Sequence, residues 1–288
     1  MNCRAICLII SLAALALPRP LYAQELEICG DPRQGELLLG KAGANATEVL
    51  LNGEKAYPVD ENGEFILALP RDAGKNAELV VYYKDDVGHF FNLPVAAATW
   101  DVQRVNGVAP RKVNPSAEDA AEIAREQNDV QRALAVNEAG DFWRQDFVLP
   151  VAGRISGHFG NQRIFNGVPK SPHSGTDIAA PEGTPVQAAA GGKVVLSGKN
   201  YFYTGNMVIV DHGQGLQTIY AHLKTAKVNE GDEVTKGQII GLVGHTGRAT
   251  GPHLHWGASL NNVRFRPHSL LEYKQQKCRK LSGSNMAD

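Results

Sequence analysis

The sequence predicts a mostly β protein: a small β-sandwich-like N-terminal module, a linking helix, and a larger antiparallel β module towards the C-terminus. Three observations carry this. Apolar residues make up 43 % and charged residues 20 % of 288 residues, enough for a buried core and long for one average domain. Thirty glycines and fifteen prolines suit short strands and tight turns, with no heptad or repeat array. Short apolar or alternating runs bounded by turn signals recur in both halves, and one long stretch has helical period.

Taken in order, residues 1–23 have the pattern of a secretory signal. Arg4 supplies a positive start and Ala5 to Leu17 an apolar run too short for an ordinary membrane span. Pro18 and Pro20 break the run, and Ala23 offers a small residue for cleavage before Gln24. No cysteine follows the run where lipid attachment would need one, and no later segment approaches a membrane span. The mature chain is therefore expected to be soluble in the periplasm or outside the cell, with no membrane span after signal removal.

Residues 24–100 form the predicted β module, with strands over 36–39, 48–51, 65–69 and 79–83. Asn52-Gly53, Asn62-Gly63 and Asp72-Ala73-Gly74 supply the turns; an Asn-Gly pair tolerates the positive φ of a tight hairpin. Residues 101–146 comprise a linker and a helix. Ser116, with Asp119 three residues on, predicts a capped start, and Ala120, Ile123, Ala124, Val130 and Leu134 fall on one face up to the break at Gly140. Residues 147–272 form the second module, with strands over 186–190, 192–196, 207–210, 217–222 and 238–243. Residues 273–288 are polar and expected to be a loose tail.

Twenty-nine basic against thirty acidic residues give a net charge of −1, without the clustered cations of a nucleic-acid binder. Two cysteines remain beyond the signal, Cys29 and Cys278; an oxidising compartment favours their pairing, but spacing alone leaves free thiols open.

Eight of nine histidines lie in the second module. His173 and Asp177 are four apart and His253 and His255 two apart, so in extended chain each pair shares a face; His222 ends an apolar strand. Zinc takes imidazole nitrogen and carboxylate oxygen, and a catalytic ion keeps three protein ligands and one open position. His173, Asp177 and one of His253 and His255 would supply such a set, leaving two imidazoles for proton transfer and oxyanion stabilisation. Each short motif by itself fits an ordinary surface polar pair equally well.

Four blocks in order resemble the lysostaphin/LytM-type zinc peptidases, which cleave peptidoglycan. They are Arg154-Ile155-Ser156-Gly157-His158-Phe159-Gly160 with Arg163; His173-Ser174-Gly175-Thr176-Asp177-Ile178 leading into Ala180-Pro181; Gly205 to Gly213 with Thr218-Ile219-Tyr220-Ala221-His222-Leu223; and Gly244-His245-Thr246-Gly247-Arg248 with Thr250-Gly251-Pro252-His253-Leu254-His255-Trp256. The resemblance implies a compact antiparallel β core with a groove over one zinc ion. It implies His173, Asp177 and His255 as ligands and His222 and His253 as the catalytic histidines, without saying which is the base. It also implies peptidoglycan peptides as substrate. Trp256 stands where the family often has Phe, and Gly257 where an acidic residue is common, so the surroundings of His255 depart from the pattern.

The remaining histidines take plainer readings: His212 structural, His158 and His245 at a groove rim, His268 and His89 without a nameable partner. Tyr203 borders the groove, and Asn206 is a turn residue. Three functions compete: an exported zinc endopeptidase acting on cross-links or stem peptides; a non-catalytic LytM-type activator of another cell-wall hydrolase, a class that loses zinc ligands; and a lipoyl- or biotinyl-type carrier, suggested by the half-repeat over residues 228–241 but lacking a lysine in the modification context. The five filled positions favour the enzyme. The N-terminal module carries no chemistry; with the helix, it is expected to cover part of the groove.

Overall fold

The computed structural model describes residues 25–285, apart from Asp86 and Ala139. The signal-like segment lies outside the described residues. Among these, no helix is long and apolar enough to cross a membrane.

Seven strands build the N-terminal module: β1 Glu25–Cys29, β2 Leu37–Lys41, β3 Ala46–Leu51, β4 Lys55–Pro58, β5 Glu64–Ala68, β6 Asn76–Tyr83 and β7 Gly88–Pro94. β3 and β6 alternate inward apolar residues such as Val49, Leu51, Leu79 and Val81 with more exposed ones, whereas β2 and β5 are buried almost throughout. Asn52 and Gly53 take φ of 52° and 69° in the predicted hairpin turn. Next come β8 Val102–Val105, the single turn α1 Pro110–Val113 and α2 Ala117–Leu134. The second module holds β9 Arg154–Gly157, β10 Gln162–Phe165, β11 Val168–Pro169, β12 Gly175–Ala179, β13 Pro185–Gln187, β14 Gly192–Tyr201, β15 Gly205–Asp211, β16 Leu216–Ala226, β17 Glu233–Val234, β18 Ile239–Val243, β19 His253–Leu260 and β20 Val263–Phe265. Its main sheet runs β17-β14-β15-β16-β19-β12-β9, antiparallel throughout.

The segment expected to be a loose tail instead completes the sandwich. β21 Cys278–Ser282 pairs with β1, giving the sheet β21-β1-β2-β5. β22 Ser284–Asn285 pairs with β7, giving β22-β7-β6-β3-β4. Its polar residues mislead because an edge strand can leave both side-chain rows in water while its backbone fills a ladder. Cys29 and Cys278 are register partners and form a disulfide.

The modules share one core. A single buried cluster runs from Leu26, Phe65 and Phe91 of the sandwich to Trp143, Tyr220, Trp256 and Phe265 of the second module. Arg266 grips Glu36 with bonds of 2.7 and 2.8 Å, and the Leu37 amide reaches Ser269 Oγ at 3.3 Å.

Helix α2 starts as expected, with reciprocal bonds between Ser116 and Asp119. It ends at Leu134, before the predicted break at Gly140, and Ala120 and Ala124 stay exposed. Ala133 and Leu134 instead pack on Leu196, Met207, Ile209, Ile219 and Ala221 of the main sheet. Val130 packs on the same cluster, and Asp129 and Glu126 accept from Tyr201 Oη and Phe202 N, so the C-terminal half of the helix meets the sheet; the period set the face but not how much of it is covered.

Because the disulfide closes a loop across almost the whole described chain, replacing Cys278 by Ser is expected to lower stability by about 2–4 kcal/mol. An unchanged urea midpoint in oxidising buffer would show that the bond adds nothing.

Candidate metal centre and groove

Strand register brings three of the predicted residues to one face. Asp177 on β12 lies opposite His255 on β19, and Ala179 opposite His253. Cross-strand partners share a face, so Asp177, His253 and His255 point to the same side. That side also carries Ile219 and Ala221, where α2 packs. The opposite side presents Ile178, Leu254 and Trp256 to the core. Helix and site thus occupy one face of the sheet, side by side.

His173 arrives from the loop before β12. Its Nδ1–H donates to the His158 carbonyl at 3.0 Å, which leaves Nε2 as a lone pair. That atom lies 3.0 Å from His255 Nδ1 and 3.1 Å from Asp177 Oδ1, and His255 Nδ1 lies 2.9 Å from the same oxygen. With His173 neutral, its Nε2 and the carboxylate face each other as acceptors without a proton to share. A cation among them resolves the conflict, and a tetrahedral ion with bonds of about 2.0–2.1 Å spaces its ligands only roughly 3.3 Å apart. The two-imidazole, one-carboxylate set suits such an ion. All three side chains are buried.

The surroundings set the charge states. Burial pulls His173 down to about 4, against the opposing charge of Asp177, and lowers His255 as well. Burial pushes the Asp177 carboxyl up, but the neighbouring His173 and His255 outweigh it and hold the group well below the carboxylate range. The second carboxylate oxygen is taken by Arg163, whose Nε donates to Gln103 Oε1 at 3.2 Å. Arg163 stood in the first motif block, but no spacing rule ties it to Asp177. A buried carboxylate turned towards a metal with one oxygen needs a donor for the other, which was the available signal.

Two glycines make room. A Cβ on Gly175 would come 2.7 Å from His255 Nε2, and one on Gly157 would come 2.7 Å from Asp177 Oδ2.

His222 reaches the site against strand alternation. Tyr220 faces the core and Ala221 the site face, so His222 would return to the core on a regular strand. It takes φ of 61° instead, where the register of β16 against β18 also shifts nearby, and the break re-aims its ring. Its amide donates to Thr204 O and its Nδ1–H to Thr246 O, both at 2.8 Å, holding a conformation that L residues rarely adopt. The ring centroid lies 4.8 Å from that of His253 and 5.9 Å from that of His255. Burial, with His253 and His255 alongside, lowers His222 to about 3. His253 Nδ1–H donates to Gly251 O at 2.8 Å, and its Nε2 lies 3.8 Å from Asp177 Oδ1. Both rings therefore offer an Nε2 lone pair.

A groove of about 280 Å³ leads from Asp177 and His253 past Arg154, Arg163 and Arg248. Its far wall includes Gln103, Val105 and Val108 of the linker. Strand β8 pairs parallel with β10, and Val108 and Val113 pack on Phe165. Lys112 then reaches Phe202 O at 2.6 Å. The linker, expected as a plain crossing, is thus built into the second module.

His212 is buried away from the site, with Nδ1 2.7 Å from Gly191 O and Nε2 2.7 Å from Thr218 Oγ1. His245 pairs with Glu182, and His268 lies edge-on to Trp256 in the core, so Trp256 does not face the metal ligands. His89 packs edge-on against Tyr83. Asn206 braces a turn through Asn200 N and the carbonyls of Leu223 and Lys224.

The chain matches the model of Peptidase family M23 over residues 171–267. It is 46 % identical over 120 residues to the peptidoglycan DD-endopeptidase ShyA of Vibrio cholerae, covering 41 % of this chain and 27 % of that protein. It is 47 % identical over 98 residues to the DD-carboxypeptidase/endopeptidase Mpg of Neisseria meningitidis, covering 34 % of this chain and 22 % of that protein. The match thus spans about a quarter of these curated relatives. A solved peptidase M23 structure from Pseudomonas aeruginosa superposes with a TM-score of 0.68 at 30 % identity, covering 85 % of this chain and 97 % of that one.

The buried His212 carries a pH dependence. Burial lowers it from 6.5 to about 4, so on acidification the unfolded chain takes the proton first. Its contribution is complete above pH 6.5 and is lost as pH falls towards 4, by up to roughly 3 kcal/mol. H212Q is expected to unfold at a lower temperature at neutral pH and to show a shallower fall of Tm over that window. Parallel Tm profiles for variant and parent would refute this.

Proposed function

The chain belongs to peptidase family M23, and from that premise we propose that it is an exported, zinc-dependent endopeptidase hydrolysing peptide bonds in peptidoglycan cross-links or stem peptides. The observation that carries this is the convergence of His173, Asp177 and His255, with His222 and His253 beside them at the head of one groove. The names of the relatives point the same way. Periplasmic or extracellular action follows from the signal-like start and from where peptidoglycan lies.

His173 Nε2, Asp177 Oδ1 and His255 Nδ1 would hold the ion. When bound, the ion supplies Lewis acidity, making water nucleophilic at neutral pH and polarising the scissile carbonyl. The histidines' part follows from their tautomers. His222 and His253 each keep Nδ1–H on a backbone carbonyl and present Nε2 as a base. One takes the proton of the attacking water; the protonated ring can then donate to the developing oxyanion or to the departing amine. The carbonyl partners fix the ring angles, so no reorientation is needed at the moment of transfer.

The non-catalytic activator reading is disfavoured because all five positions are filled and brought together. The covering role expected of the N-terminal segment narrows here to the linker: Gln103, Val105 and Val108 wall the groove, while α2 packs beside the site.

H255A is expected to lose bound zinc and to reduce muropeptide cleavage at least about a thousandfold. H222A and H253A are expected to keep zinc and lose roughly 10²–10⁴-fold in kcat. Elemental analysis and mass spectrometry of products from defined muropeptides read both effects. Undiminished cleavage by H255A would overturn the ligand assignment, and absence of cleavage by the zinc-loaded parent on every muropeptide would overturn the function.

A further inference from the structure

Among the described residues, Arg248 is a cation without an anion. Its guanidinium lies 4.6 Å from the ring centroid of Phe165 and 4.2 Å from that of Tyr203, half-buried between walls from two different hairpins. Only its backbone is engaged, donating to Tyr203 O at 2.8 Å. Among the described residues, no carboxylate pairs with its side chain. The two rings shed water from the guanidinium faces and hold it by cation–π attraction, but they accept none of its five N–H bonds in the plane. A planar fork kept in that way is preorganised for a carboxylate.

The cavity strengthens the point. Arg154, Arg163 and Arg248 line it, and Asp177 is its sole acidic lining residue. Arg163 is spent on Asp177, whose other oxygen faces the metal ligands. Arg154 makes no ion pair among the described residues. The groove that ends at the metal centre therefore carries two uncommitted positive charges and no free negative one.

We infer that Arg248, assisted by Arg154, receives a carboxylate of the substrate beside the scissile bond and so selects acidic cross-links over neutral ones. The inference rests on the endopeptidase reading above and deepens it. A D-alanyl–diaminopimelate link has the required chemistry: the carbon bearing the scissile nitrogen also bears a free carboxylate. A glycine bridge has none. The carboxylate would lie on the leaving-amine side of the bond, with its two oxygens in the plane of the guanidinium.

The test compares two synthetic cross-linked muropeptide dimers, one with that carboxylate free and one with it as the carboxamide, using the zinc-loaded full chain. The parent is expected to favour the acid by about 10- to 100-fold in kcat/KM, the scale of a charge-assisted pair. R248Q is expected to erase that preference through loss on the acid. R248K, which keeps a cation between the rings, is expected to keep a smaller preference, and it serves as the test should R248Q fail to fold. Equal parent rates on both dimers, a preference that survives in R248Q, or an equal loss on both would overturn the inference. A parent that cleaves neither dimer sinks the endopeptidase reading instead. Calorimetric titration of the same dimers then decides the inference: tighter binding of the acid that R248Q abolishes sustains it, and equal binding overturns it.

Discussion

The site depends on one buried carboxylate. Asp177 sits on a central strand with little solvent, and an isolated charge there would be costly. It is held ionised because each oxygen has its own partners: Oδ1 meets His173 and His255, and Oδ2 meets Arg163. Around it, His158 O fixes the tautomer of His173, and Gly175 and Gly157 clear the space that His255 and Asp177 occupy. Each partner comes from a different element, so the cluster exists only when β9, β10, β12 and β19 are all in register.

That dependence reaches beyond the second module. Arg71 of the sandwich donates to Gly160 O at 2.6 Å, and Trp100 packs against Phe159. The loop they brace accepts from and donates to the backbone of His173 and includes the His158 carbonyl. Gln103 of the linker holds both Arg163 and the Ser156 carbonyl. The N-terminal portion therefore supports the loop and the arginine that position two of the three candidate metal ligands, besides lining the groove. A plain spacer would make none of these contacts. The shared core and the Cys29–Cys278 bond tie the same portion to both ends of the chain.

Beside this anchored centre stand two further imidazoles held in fixed orientation. His222 and His253 are oriented through Nδ1 by backbone carbonyls, not by carboxylates. The positive φ of His222 is local strain held by two hydrogen bonds, and it places an imidazole beside the cluster where a regular strand would have placed a core residue.

Much of this was legible in the residues. Period-two spacing put His253 and His255 on one face, turn pairs marked hairpins such as Asn52-Gly53, and the Ser116–Asp119 cap marked the start of α2; such signals are local and act through a few neighbouring bonds. Motif order supplied five candidate positions, which the fold brings close together. What the sequence could not reveal was set by partners far along the chain: the strand made from the polar C-terminal segment, the early end of α2, the bond between Arg163 and Asp177, and the stacking of Arg248 between Phe165 and Tyr203. An edge strand, a helix end under a packed sheet and a buried ion pair are each decided by what lies across the contact. That depends on tertiary packing, because local propensity is too small an energy to choose among surfaces that are distant in sequence.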